Sequence, residues 1–249
     1  MARYFLEVSY HGSRYSGFQK QENANSIQAE IEKAFAVLQK ASITLTGASR
    51  TDTGVHACQN FFHFDFDPLI HDHFLYKMNA ILPRDIVAVK IMQVPPTAHC
   101  RFDATSRTYK YKIYQTKNPF MEDRAHYFPY PVDLTKLNEA AKLLSGYHDF
   151  TTFSKRNTQV KTFFCTVETS EWVQENELLT YNVKANRFLR GMVRGLTGTM
   201  LQVGRGKMSI DDLQSILLSG NCSQADFSVP AHGLFLCKVE YPDSIYPSP

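Results

Sequence analysis

The chain has 249 residues, 43% of them hydrophobic, with 27 basic and 24 acidic side chains and a formal net charge of +3. That length makes one large domain or two of ordinary size and buries a core without staples. The five cysteines, Cys58, Cys100, Cys165, Cys222 and Cys237, are odd in number and have no C-x-x-C spacing. This argues against a disulfide framework and against a cysteine zinc site, and for a reducing compartment, the cytoplasm. No segment approaches the roughly 20 apolar residues that span a bilayer, and no basic-then-apolar leader precedes "ARYFLEVSY", so an unprocessed protein without membrane contact is expected. The mild basic bias is compatible with a polyanionic partner.

In chain order, "RYFLEVSY" alternates as a strand and "HGSRYSGF" reads as a loop. "NSIQAEIEKAFAVLQKA" repeats Ile27, Ile31, Ala34, Phe35 and Leu38 on one helical face, with Asn25 placed to cap and Gln28 to bond back. "SITLTG" and "CQNFFHFDFD" read as strands, "HDHFLYKMNAIL" as a helix ending at Pro83, and "IVAVKIMQV" as a further strand. The second half gives a strand "TYKYKIYQ", a helix "LTKLNEAAKLLSG", and strands "KTFFCTVETSEWV" and "ELLTYNVKA" around the turn "QEN". It continues with helices "RFLRGMVRGLTGTMLQVG" and "SIDDLQSILLSG", the latter capped by Ser209 and stopped at Gly220, and ends with a strand "GLFLCKVEY" and a loose tail "YPDSIYPSP". The pattern predicts an α+β protein of two domains, residues 1–104 and 105–249, each a mostly antiparallel sheet backed by helices.

Chemistry concentrates around "SRTDTGVHA", Ser49 to Ala57. The letters D-T-G suggest an aspartic protease, but that mechanism needs two carboxylates sharing one proton, and this chain carries a single such loop with Arg50 two residues before the acid. The bland alternative makes Asp52 an Asx-turn residue and Gly54 the glycine of that turn. Against it, Arg50, Thr51 and His56 crowd the same loop between two predicted strands, where a scaffold can aim it into a cleft. His56 reads as a loop-packing residue. The "HDH" at His71 and His73 lacks a third ligand at a plausible spacing, so no metal site is expected.

Two basic clusters stand out: Arg101, Arg107, Lys110, Lys112 and Lys117 with Tyr109, Tyr111 and Tyr114 between them, and Arg187, Arg190 and Arg194 at three- and four-residue steps. Cations for phosphates interleaved with rings for bases suit a nucleic-acid surface, while a strand with one solvated charged face and one aromatic core face gives the same letters. The residues alone leave open an RNA-modifying enzyme and a non-catalytic RNA-binding module.

"SRTDTGVHA", "YHGSRYSGFQKQ", "HCRFDATSRTYKYKIY", "NRFLRGMVRGLTGTMLQVG" and "VPAHGLFLCKVEYP" resemble the segments of the bacterial tRNA pseudouridine synthase A family. The resemblance covers essentially the whole chain. It implies a two-domain α+β fold with a catalytic cleft between the domains, a homodimer, tRNA as substrate, no cofactor, and conversion of uridine to pseudouridine at positions 38 to 40 of the anticodon arm. It also implies that Asp52 is the catalytic aspartate, that Tyr109 packs on the base, that Arg194 pairs with the aspartate, and that Arg50 holds the target nucleotide out of its stack. Lys110, Lys112, Arg187 and Arg190 are then candidate phosphate contacts. The chain departs from the family pattern at Ser49, Thr53 and Phe18, which stand in place of the usual glycine, alanine and tryptophan; none of these removes a catalytic side chain. Asp52 would attack the uracil ring or the sugar C1′, or act on the C2′ proton, and the sequence leaves these routes open.

Overall fold

A computed structural model describes residues 1–67, 70–71, 73–156 and 160–246. Its contacts group the chain into two compact units, Met1–Thr105 with Leu236–Pro249, and Ser106–Phe235. The sequence left the last strand with the second half. Instead it belongs to the first unit from Leu236 onward, because it has backbone and ring partners there.

In the first unit, β1 (Ala2–Tyr10) pairs antiparallel with both β3 (His56–Phe66) and β4 (Ile86–Val94), and the two-residue β2 (Thr46–Gly47) pairs with β3. "SITLTG" is therefore a strand only at Thr46–Gly47. Alternation along β1 and β3 turns Phe5 and Phe61 to one face of the sheet and Phe62 and Phe64 to the other, and all four are buried because both faces are covered. Helix α1 (Ile27–Gln39) buries Ile27, Ile31, Ala34 and Phe35. The Phe35 ring meets Phe64, Phe66 and Phe74 at 5.3, 5.1 and 5.4 Å between centroids, which joins α1 to the sheet and to α2 (Phe74–Ile81). The helix cap is Ser26, whose hydroxyl accepts from Ala29 N at 3.2 Å, one residue later than the expected Asn25. Gln28 does not close a capping box; its side chain accepts from Lys20 N and donates to Leu45 O, tying the strands' approach to the helix.

The last strand, β9 (Leu234–Glu240), is held in this unit by Val239 N donating to Gln59 Oε1 (3.0 Å) and by Thr105 N donating to Glu240 O (2.8 Å). Tyr241 follows it, packs on Phe5 and Phe61, and donates to Cys100 O at 2.7 Å. The tail is not loose up to Tyr246: Asp243–Ile245 forms a 3-10 turn with Ile245 buried. Its last three residues, like Asp72 of "HDH", lie outside the described residues.

In the second unit, β8 (Leu178–Ala185) lies between β5 (Ser106–Tyr114) and β7 (Val167–Glu175), all antiparallel, and the short β6 (His126–Tyr127) adds to β5 in parallel. The strand expected from Lys161 starts only at Val167. Helix α3 (Leu134–Leu143) is capped by Asp133, and its Asn138 brackets Trp172 of β7, donating to the Trp172 carbonyl and accepting from its N–H. Helix α5 (Ile210–Leu218) has the full capping box of Ser209 and Asp212.

Helix α4 (Met192–Gly204) is the centre of this unit, with eleven of its thirteen residues buried. It begins five residues later than the sequence suggested, because Gly191 at φ +76° breaks the run and leaves Arg187 to Arg190 in a loop. Three of its glycines are contact points. A Cβ on Gly195 would stand 2.7 Å from the Phe227 ring, one on Gly198 2.2 Å from Asp226 O, and one on Gly204 2.7 Å from Leu137. The segment Asp226–Val229 can lie on the helix only because Gly195 and Gly198 have no side chain, and Gly204 gives the same room to Leu137 of α3.

Overpacking of this kind costs about 1–3 kcal/mol. Gly198→Ala is accordingly expected to lower the urea midpoint by that equivalent, while Gly146→Ala, whose Cβ would meet nothing within 4 Å, leaves it near the parent value. Equal midpoints for the two variants would contradict the close approach.

Candidate active site

The loop carrying Asp52 is fixed from three sides. It leaves β2 with Ala48 N donating to Phe61 O (2.8 Å) and closes on itself through Val55 N donating to Asp52 O (3.2 Å). That bond and φ +79° at Gly54 make Asp52–Val55 a turn with glycine at the position that demands a left-handed backbone. The turn thus uses the main-chain carbonyl of Asp52. Its half-buried carboxylate accepts no hydrogen bond among the described residues.

The second side is the loop from His11 to Phe18. Gly12 sits so close that a Cβ would stand 2.0 Å from Val55 O, and one on Gly17, itself at φ +101°, would stand 3.0 Å from Thr51 O. Phe18 N donates to Thr51 O (3.1 Å), and Gly12 N donates to Nδ1 of the buried His56 (3.1 Å). His56 is the loop-packing residue that the sequence suggested, and its ring also meets that of His11 at 4.3 Å in a tilted contact.

The third side is a buried polar cluster. Asn60, fully buried on β3, donates from Nδ2 to Ser49 O (2.9 Å) and to the Tyr10 hydroxyl (3.2 Å), and its Oδ1 accepts from Phe61 N. The Tyr10 hydroxyl in turn lies 2.7 Å from Thr51 Oγ1. Burial pushes the Tyr10 phenol well above its ordinary range, so the group stays neutral. A register shift between β1 and β3, from Val8↔Asn60 to Tyr10↔Ala57, lets Tyr10 and Asn60 reach the same loop. No motif marks Asn60 or Tyr10, and sequence reasoning missed both. The glycines of "HGSRYSGF" were the one visible signal.

The three departures from the family pattern are accommodated differently. Phe18 stacks on Phe62 (4.3 Å, 12°) in a slot floored by Gly47, where a Cβ would come 2.1 Å from the ring. Ser49 turns its hydroxyl inward without a partner among the described residues. Thr53 and Arg50 are exposed.

The second unit places its own candidates. Arg194, in the first turn of α4, donates from Nε to Val229 O (2.8 Å) and from Nη2 to Phe227 O (3.3 Å), both on the segment that the helix glycines admit. Tyr109 packs edge-on against Phe188 at 5.0 Å. Strand alternation puts Arg107, Tyr109 and Tyr111 on one face of β5 and Lys110 and Lys112 on the other, so the interleaved letters do not make one mixed surface. Tyr111 is a core residue donating to Pro230 O (2.7 Å), and Lys112 Nζ lies 4.2 Å over the Phe235 ring. Arg107 is also buried, with Nη1 donating to Asn186 O (2.9 Å) at the start of the loop that carries Arg187 and Arg190. Among the described residues, no three His, Cys, Asp or Glu side chains are grouped to hold a metal ion, and no helix is long and apolar enough to cross a membrane.

A family model described as tRNA pseudouridine synthase matches residues 7–103 and 140–242. The chain is 43% identical over 249 residues to the tRNA pseudouridine synthase A of Parabacteroides distasonis, an alignment covering 99% of each chain. It is 46% identical over 247 residues to that of Bacteroides fragilis, covering 98% of each, and 37% identical over 240 residues to that of Staphylococcus aureus strain MRSA252, covering 95% of this chain and 91% of the relative. With a loop built to present one carboxylate and a family match across both units, the chain belongs to the tRNA pseudouridine synthases, isomerases that convert uridine to pseudouridine in tRNA.

Proposed function

We propose that Asp52 is the catalytic carboxylate of this isomerase and that the uridines it converts lie at positions 38 to 40 of the tRNA anticodon stem-loop. The observation that carries the first part is the turn at Asp52–Val55. Its main chain is closed by Val55 N donating to Asp52 O and anchored next door by Phe18 N donating to Thr51 O, while the carboxylate accepts no hydrogen bond among the described residues. The target positions are carried over from the family resemblance.

The reaction breaks the N1–C1′ bond, turns the uracil and rejoins C1′ to C5; the hydrogen on C5 leaves and N1 gains one. Composition and oxidation state are unchanged, so no redox cofactor is required. Asp52 would attack the ring or C1′, or act on the C2′ proton, and each route uses the ionised acid. Arg194 is the proposed partner that favours that form, because its Nε and Nη2 are fixed on carbonyls and the rest of its planar fork stays oriented. Tyr109 would stack on the extruded uracil beside Phe188. The exposed Arg50, two residues before the acid, would hold the nucleotide out of its stack, offsetting an extrusion cost of a few kcal/mol. Arg187 and Arg190 would take phosphates near this site. Lys110 and Lys112, on the opposite face of β5, would meet tRNA elsewhere. Two copies of the chain are proposed to associate, as the resemblance implies.

Asp52→Asn is expected to bind tRNA with nearly the parent affinity and to lose at least ~100-fold in tritium release from C5-labelled uridine, the scale of a lost acid–base group. Persistent release would remove the assignment; a parent protein that releases none from any tRNA would favour the RNA-binding module. Arg194→Lys keeps charge but not the fork, so turnover should fall by about tenfold or more while tRNA affinity holds. Near-parent turnover in that variant would remove the proposed pairing.

A further inference from the structure

The segment that follows Phe153 is bound to the loop that carries Arg187 and Arg190. Lys155 N donates to Arg190 O (2.9 Å), and the Lys155 methylenes lie along Gly191, where a Cβ would stand 3.0–3.3 Å from them. Asn186 N donates to Thr166 O and its side chain accepts from Thr166 N, so the two stretches meet at both ends. This brings Lys155 and Arg156 into line with Arg190.

Lys155 and Arg156 border a pocket of about 310 Å³ that also takes in Thr151, Ser154, Asn221 and Cys222. Among the described residues, no carboxylate lines it. Asp149, the nearest acid in sequence, accepts from the Thr151 N–H (2.9 Å) and hydroxyl (2.6 Å) and is occupied by its own turn. Among the described residues, Lys155, Arg156, Arg187 and Arg190 form no ion pair with a carboxylate. Arg156 is steadied by Nε donating to Cys222 Sγ (3.4 Å), which leaves its two terminal nitrogens as donors. Several cations held together without acids repel one another unless an anion joins them. The lining supplies charge and hydroxyl donors for a tetrahedral anion. Phe164, 61% exposed and next in the chain to the lining Phe163, adds a ring of the kind on which a base stacks.

We propose that this pocket holds a backbone phosphate of the bound tRNA, one that Lys155 and Arg156 grip together, so that the contact runs past Arg187 and Arg190 onto a further nucleotide. The inference rests on the reading that the protein binds tRNA.

The test is the salt dependence of tRNA binding for Lys155→Met combined with Arg156→Gln, the methionine keeping the stem along Gly191. A second double variant, Lys136→Met with Lys207→Gln, removes two exposed cations elsewhere in the same unit. Loss of one phosphate contact should flatten the slope of log affinity against log salt by ~0.7–0.9 for the first pair and leave it unchanged for the second. Arg156→Gln alone, at an exposed side chain, should give part of that change even if the double variant folds poorly. An unchanged slope, or equal flattening in both pairs, overturns the site. A parent protein whose tRNA affinity ignores salt would take down the tRNA reading and the site with it. Alkylation of Cys222 by a maleimide separates RNA from a free anion. Bound tRNA should slow it, and equal slowing by inorganic phosphate at matched ionic strength would make this a small-anion site instead.

Discussion

The close backbone approach between the loop from His11 to Phe18 and the Asp52 loop is the constraint on which the rest of the candidate site depends. Gly12 faces Val55 O at a separation that no side chain tolerates, and a Cβ on Gly17 would stand a tight 3.0 Å from Thr51 O at a backbone angle that favours glycine. Once the loops are that near, Phe18 N, Gly12 N, His56, Asn60 and Tyr10 each find a partner in the opposing strand or loop. A buried donor or acceptor left without its partner costs about 1–3 kcal/mol, so the loop has one well-satisfied arrangement. The Asp52 carboxylate takes no part in that satisfaction and accepts no hydrogen bond among the described residues.

The second unit solves a similar problem by similar means. Gly195 and Gly198 let the segment Asp226–Val229 rest on α4, and its carbonyls at Phe227 and Val229 take two guanidinium nitrogens of Arg194. In both units a glycine contact sets the main chain: in the first it holds the turn at Asp52, and in the second it places the carbonyls that hold the Arg194 guanidinium. Loops usually carry function on a rigid scaffold. Here each loop is made rigid by the absence of a Cβ on its neighbour.

Much of this was legible in the letters, and the failures have physical causes. The strands β1, β3, β4 and β8 and the helices α1, α3 and α5 follow from periodicity, since each buries one face against a neighbour. Ser26 instead of Asn25 as the cap of α1 could not be chosen, because adjacent residues with the same capping chemistry differ only in backbone angle. "SITLTG" and "KTFFCTV" have strand composition but gain ladder partners over only part of their length. The return of Leu236–Pro249 to the first unit depends on partners more than a hundred residues away, among them Gln59 and Cys100. At the site, Asp52 and Gly54 were legible from the turn and from family resemblance. Asn60 and Tyr10 were not, because a buried asparagine looks like any other polar residue until its three partners are known. The letters around Tyr109 and Lys110 fit either one mixed surface or a strand with a charged face and an aromatic face, and the strand alternation of β5 decides for the second.

We propose that the glycine contact, rather than the local turn alone, holds Asp52 in place to react. Gly12→Ala tests it most directly, since the added methyl would fall 2.0 Å from Val55 O and must push the loop aside. The measurement is the single-turnover rate of C5 tritium release at saturating tRNA, at a temperature where circular dichroism shows the variant folded. A displacement of about 1 Å at a reacting group costs on the order of 100-fold in rate, so a loss of that size with tRNA affinity retained is the predicted result. A folded variant that reacts at the parent rate would contradict the claim.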